Sequence, residues 1–189
     1  VAVRGTTVVL VAAFGMLVLP MGLPVLPPAP MARYAAALGV SEAVTTNQGV
    51  VLELPQDYAD MLGWEEQVAA VARVYHALPP AERAEAVIVA DNYGEAGAVD
   101  LLGPRHGLPP AVFPESSYWY FGPGEKPGRV IVKIGGTAED LKPFCRSLAL
   151  AARVDTPWVV PEERNLPIWI CREPYRTLQE IWPDFAGRF

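Results

Sequence analysis

Between Arg4 and Arg33 the chain has no charged residue, and residues 6–19 (TTVVLVAAFGMLVL) are almost wholly apolar. An uncharged apolar run of this kind either crosses a bilayer or is buried, because its long apolar stretch is unfavourable in water. A spanning helix takes about 20 residues, and residues 5–25 supply that number if Pro20 is accepted as a kink. The segment is therefore read as a transmembrane helix, with Pro24, Pro27, Pro28 and Pro30 forming a proline-rich exit. The alternatives are a secretory signal or anchor, whose apolar core is shorter, and a buried core helix. A first residue that is Val, with only Arg4 as a preceding charge, favours the last span of a larger protein.

Residues 33–54 read as a juxtamembrane connection. Leading into it, 31–38 (MARYAAAL) forms a short amphipathic helix with Arg33 and Tyr34 at headgroup level. Residues 39–47 form a polar link, and 49–54 (GVVLEL) a short extended piece.

From Pro55 the composition becomes that of a water-soluble α/β domain extending to residue 189. Its organising stretch is 86–103 (AVIVADNYGEAGAVDLLG), in which a β-branched run meets a polar turn that opens a helix. Asn92 suits the N-cap, Gly94 permits a tight turn, and Glu95 puts negative charge near the positive end of the helix dipole. In open α/β sheets ligands sit beyond such strand ends, which makes Asp91, Asn92, Tyr93 and Glu95 candidate binding residues.

The remaining elements follow from local signals. Helices are expected from Pro55, where an acid lies in the first turn, and from Trp64, where Val68, Val71, Val74 and Tyr75 share one face. Residues 80–83 make a turn. Strands are expected at 111–113, 129–134, 147–154 and 167–171, and helices at 137–144 and 175–182. The result is a three-layer α/β domain with a mixed sheet, parallel at first and antiparallel at one edge.

Residues 118–121 (YWYF) are four consecutive aromatics. Neighbours on one strand alternate sides, so they cannot all enter one core. Tyr118 and Trp119 are therefore candidates for a platform that stacks on sugar rings or lies at a membrane interface, the alternative being packing under a loop. Cys145 and Cys171 read as two buried thiols; spacing does not show whether they meet, so a disulfide stays open.

The formal charge of −6 (15 Lys+Arg, 21 Asp+Glu) and the lack of a basic cluster exclude nucleic acid as a partner. Only Arg4 precedes the apolar segment, which weakly favours an extracytoplasmic side for the rest. No P-loop, HExxH, GxSxG or GxGxxG occurs, so no metal, catalytic or cofactor-binding residue is assigned. The Asp57/Asp60 pair, one turn apart, fits a solvated helix face.

Six pieces occur in a recognisable order: 54–64 (LPQDYADMLGW), 71–75 (VARVY), 78–83 (LPPAER), 92–98 (NYGEAGA), 103–105 (GPR) and 117–119 (SYW). Together they resemble the C-terminal soluble portion of bacterial membrane glycosyltransferases of family 39, the group related to protein mannosyltransferases and to the aminoarabinose transferase of lipid A. The resemblance implies a membrane enzyme that takes a sugar from a polyprenyl-phosphate donor and passes it to a glycan, lipid or protein acceptor outside the cytoplasm. It also implies that the catalytic acids lie in loops between early spans, so none is carried over to this sequence. The other readings are a membrane-tethered carbohydrate-binding module without catalysis and a flavodoxin-like nucleotide binder.

Overall fold

The computed structural model describes residues 2–39, 45–46 and 49–187. The chain divides into two compact units, one comprising Val1–Leu62 with Pro157–Glu162 and the other Gly63–Thr156 with Glu163–Phe189.

In the first unit, α1 (Ala2–Gly22) contains Pro20 near its end, as expected. Among the described residues, Val3–Gly22 is the helix long and apolar enough to cross a membrane. At 1.5 Å per residue its 20 residues reach about 30 Å, the thickness of a bilayer's hydrocarbon layer. Its side chains are bare, with Phe14 65% and Met16 70% exposed. Pro28 starts α2 (Pro28–Leu38) from an extended Pro27, and Gly39 stops it in a left-handed conformation at φ 67°. Met31, Ala35, Leu54, Tyr58, Ala59 and Val160 form this unit's small core, and Tyr58 belongs to the one-turn helix α3 (Gln56–Ala59). Two tyrosines tie its segments together, the Tyr34 hydroxyl donating to the Leu17 carbonyl and that of Tyr58 to the Leu26 carbonyl. The expected extended piece at 49–54 amounts to one isolated bridge between Thr45 and Val51. Much of the polar link at 39–47 lies outside the described residues.

The second unit starts with α4 (Trp64–Ala77), entered through Gly63 at φ 88° and ended by Leu78 before Pro79. Its buried side chains include Val68, Val71, Val74 and Tyr75, the face expected from their spacing. Residues expected to make only a turn instead form α5 (Pro80–Glu85), because proline at the first helical position presets φ where no amide donor is needed. Then follow β1 (Ala86–Val89), α6 (Tyr93–Leu102), β2 (Ala111–Val112), β3 (Val130–Ile134), α7 (Ala138–Leu141), β4 (Cys145–Val154), β5 (Leu166–Pro174) and α8 (Leu178–Ile181). The helix expected over 137–144 is shorter than read, since Pro143 turns its last part into a 3-10 segment.

Among the described residues five strands form one mixed sheet in the order β2-β1-β3-β5-β4. β1 runs parallel to β2 and β3, while β5 is antiparallel to both β3 and β4. The parallel crossovers and the antiparallel edge are as expected. Alternation then sorts the side chains: Ile88, Val130, Val132, Ile134 and Ile168 point into the main core beneath α4 and α6. Val87, Val89 and Ile131 point to the other face, where Leu178 and Ile181 of α8 cover them. A register shift between Leu150 and Ala152 marks a bulge in β4.

Cys145 and Cys171 are joined as a disulfide with their Cα atoms 5.6 Å apart, which overturns the reading as two thiols. In the β4/β5 ladder Cys145 stands opposite Pro174 and Cys171 opposite Leu148, so the two are not ladder partners and the bond joins residues offset along the hairpin. Both strands extend beyond the ranges read from sequence, and the added residues include Cys145 itself.

Candidate functional site

The carboxyl ends of β1 and β3 make a switch point. From β1 the chain turns through α6 to β2 on one side, whereas β3 leads through Gly135 and Gly136 toward α7 and the β5/β4 side. The loops therefore diverge and leave a crevice between them, the usual place for a ligand in such sheets.

The local sequence builds this crevice. Asn92 caps α6 as expected, its Oδ1 accepting from the Glu95 amide at 2.8 Å. The Glu95 side chain folds back past the cap, and its Oε2 accepts from the Asp91 amide at 2.6 Å. Register places Lys133 beside Val89, so its ammonium reaches the strand end and donates to Asp91 Oδ1 at 2.6 Å and to the Ile134 carbonyl at 2.7 Å. Asn92 Nδ2 donates to Glu163 Oε1 at 3.0 Å, bringing in the turn before β5. Gly135 has no room for a side chain: a Cβ there would lie 2.7 Å from that of Asp91, and φ is +70°. Trp169 Nε1 donates to the Gly136 carbonyl at 3.3 Å and fixes the second loop.

The electrostatics are unusual for a surface edge. Glu95 is 1% exposed, and its carboxyl is pushed from the ordinary 4.5 up to about 7. Burial is the main cause; Glu163 and Asp91 add to it, while the Asp91 amide and Lys133 oppose it. Burial likewise pushes the Lys133 ammonium down, against the pull of Asp91, Glu95 and Glu115. The sequence reading pictured Glu95 as a charge beside the helix end, whereas the structure makes it a buried carboxyl that holds a proton near neutrality.

An apolar cleft of about 600 Å³ runs along the second face of the sheet and ends at this crevice. Val89, Ile131 and the disulfide line it together with Leu178, Ile181 and Trp182, and its charged lining residues are Asp91, Lys133, Glu115 and Arg176. A capping box holds α8 in place as one wall, with Thr177 Oγ1 accepting from the Glu180 amide and Glu180 Oε2 from the Thr177 amide. A second cavity of about 660 Å³ lies near the starts of β1 and β2, away from the switch point. The smaller cleft is preferred as the site because it combines apolar walls with convergent polar groups.

The six residues singled out from sequence are not all in one place. Asp91, Asn92 and Glu95 come together at the crevice, and Tyr93 stands beside them, 68% exposed. Tyr118 packs against the main core and donates to Asp100 Oδ2 at 3.1 Å. Trp119 exchanges bonds with Trp182, each indole N–H donating to the other's carbonyl at 3.1 Å. The widely exposed aromatics of the run are instead Tyr120 and Phe121. Sequence reasoning missed Lys133 and Glu163; the signal for Lys133 was a lone cation inside an apolar strand (VIVKI), while Glu163 gave none.

The crevice can donate and accept hydrogen bonds and can hold a proton near pH 7. Among the described residues no group of three or more His, Cys, Asp or Glu side chains is arranged to hold a metal ion. Comparisons of the chain with family models, with curated proteins and with solved structures gave no match.

Proposed function

We propose that this chain belongs to a membrane sugar transferase that draws on a polyprenyl-phosphate donor, and that its α/β unit binds the acceptor at the carboxyl edge of the sheet. The carrying observation is a cleft with apolar walls and charged groups among its lining residues, on a chain that also bears a bare apolar helix of membrane length. Acceptors reached from a bilayer are themselves amphipathic, and such a cleft suits them. In this reading α1 spans the membrane, α8 and α7 complete a third layer, and catalysis rests on acids outside this stretch of sequence. The disulfide supports an extracytoplasmic side, because such bonds persist in oxidising compartments.

The test is transfer itself. Membranes holding the whole transferase are given a polyprenyl-phosphate sugar, and labelled product is counted with and without Ile181→Trp, which fills the cleft. Transfer by the parent, with a raised acceptor KM in the variant, is the expected result. A parent that transfers nothing refutes the reading, and one that binds glycan without transferring it is the carbohydrate-binding module instead.

A further inference from the structure

The cleft and the polar cluster share two side chains, Asp91 and Lys133. An ammonium has three N–H donors. That of Lys133 gives one to Asp91 Oδ1 and one to the Ile134 carbonyl, and the third has no partner among the described residues. Asp91 is in the complementary condition: Oδ1 is taken, Oδ2 accepts no hydrogen bond among the described residues, and the side chain is 50% exposed. At this end of the cleft one open donor and one open acceptor therefore stand side by side, carried by groups of opposite charge, while Arg176, which also lines the cleft, is held by Asp184 and the Glu180 carbonyl.

This pairing selects a headgroup. A carboxylate or phosphate would satisfy Lys133 but would face the Asp91 carboxylate, with Glu95 and Glu115 close enough to act on the same ammonium. An ammonium headgroup would satisfy Asp91 and be repelled by Lys133. A hydroxyl donates and accepts at one uncharged atom. We propose that the cleft binds a neutral hydroxyl-bearing amphipath, its O–H donating to Asp91 Oδ2 and its oxygen accepting from Lys133 Nζ, with the apolar body along Val89, Ile131 and Leu178. The inference rests on the acceptor-binding reading, for which it names the acceptor as an alcohol rather than an acid or an amine. A hydroxyl is also the group to which a sugar is transferred.

The experiment measures binding alone. The full chain, labelled with ¹⁵N-tryptophan in phosphatidylcholine nanodiscs, is titrated with 1-octanol, octanoate or octylamine, and partition into empty discs is measured separately. The indole N–H signal of Trp182, which lines the cleft, is the readout. Octanol is expected to bind about tenfold more tightly than either charged analogue, the effect of one well-placed hydrogen bond against a repelled charge. Lys133→Met should abolish the preference over octylamine, which then meets Asp91 with no ammonium to repel it, while octanoate stays disfavoured; Ile181→Trp should weaken all three ligands. Equal or tighter binding of octanoate or octylamine, or no octanol-dependent shift, overturns the proposal; the unmodified chain alone decides this if a variant does not fold. Octanol binding in a protein whose parent transfers no sugar would sink only the transferase reading, and transfer without octanol binding would sink only this one.

Discussion

Glu95 gives the structure its sharpest consequence for pH. In the folded chain its carboxyl loses its proton at about 7, against 4.5 for an ordinary glutamate. Between those values the folded state holds a proton that the unfolded state has released, so stability falls as pH rises. The contribution is complete below 4.5 and gone above about 7. At about 1.4 kcal/mol per pH unit it totals about 3 kcal/mol, most of it lost between pH 5 and 8. Glu95→Gln removes the titration while leaving an amide oxygen to accept from the Asp91 N–H. The assay is urea unfolding of both chains in the same detergent, followed by tryptophan fluorescence at pH 5 and pH 8. The variant should gain on the parent by about 2 to 3 kcal/mol between the two conditions, other titrating groups cancelling in the difference. A difference that does not change with pH, or a ¹³C titration of the Glu95 carboxyl with its midpoint below 5, would refute the reasoning.

Two further outcomes follow from the packing. Reducing the Cys145–Cys171 bond, which closes a loop with a sequence separation of 26, should lower stability by about 3 kcal/mol, seen as a fall in Tm with dithiothreitol that the double alanine variant does not show. Gln67 is 3% exposed, and its Nε2 has no hydrogen-bond partner among the described residues, so Gln67→Met, of similar volume, should stabilise the chain by about 1 kcal/mol in the same urea assay.

What was legible in the sequence was what is decided locally. The Asn92 cap and the face of α4 each depend on residues within one or two turns, and each stands as read. What depended on distant partners was not legible. Glu95 owes part of its shift to Glu163, which pairs with Asn92 from 71 positions away, and Trp119 is tied to Trp182 across 63. The disulfide joins residues with a sequence separation of 26, a meeting that no spacing rule supplies. Residues 80–85 were misread because a six-residue helix is too short to show a period, even with proline correctly placed at its start.

The polar crevice is more than the fold needs. Asn92 by itself satisfies the α6 cap, and an apolar residue in place of Lys133 would continue the alternation of β3 without desolvating an ammonium. Burying Glu95 and the Lys133 side chain, with one ion pair to the half-exposed Asp91, costs stability relative to well-packed apolar side chains. Such expense in a small domain is usually concentrated where a ligand is met, because strained or charged groups survive only under some constraint other than stability. Here it falls at a topological switch point, against Gly135 whose missing side chain lets the two loops close on Asp91, and at the end of the apolar cleft. Under the proposed function the burial of Glu95 and the open valences of Asp91 and Lys133 share one explanation, a ligand's polar atom held at the crevice.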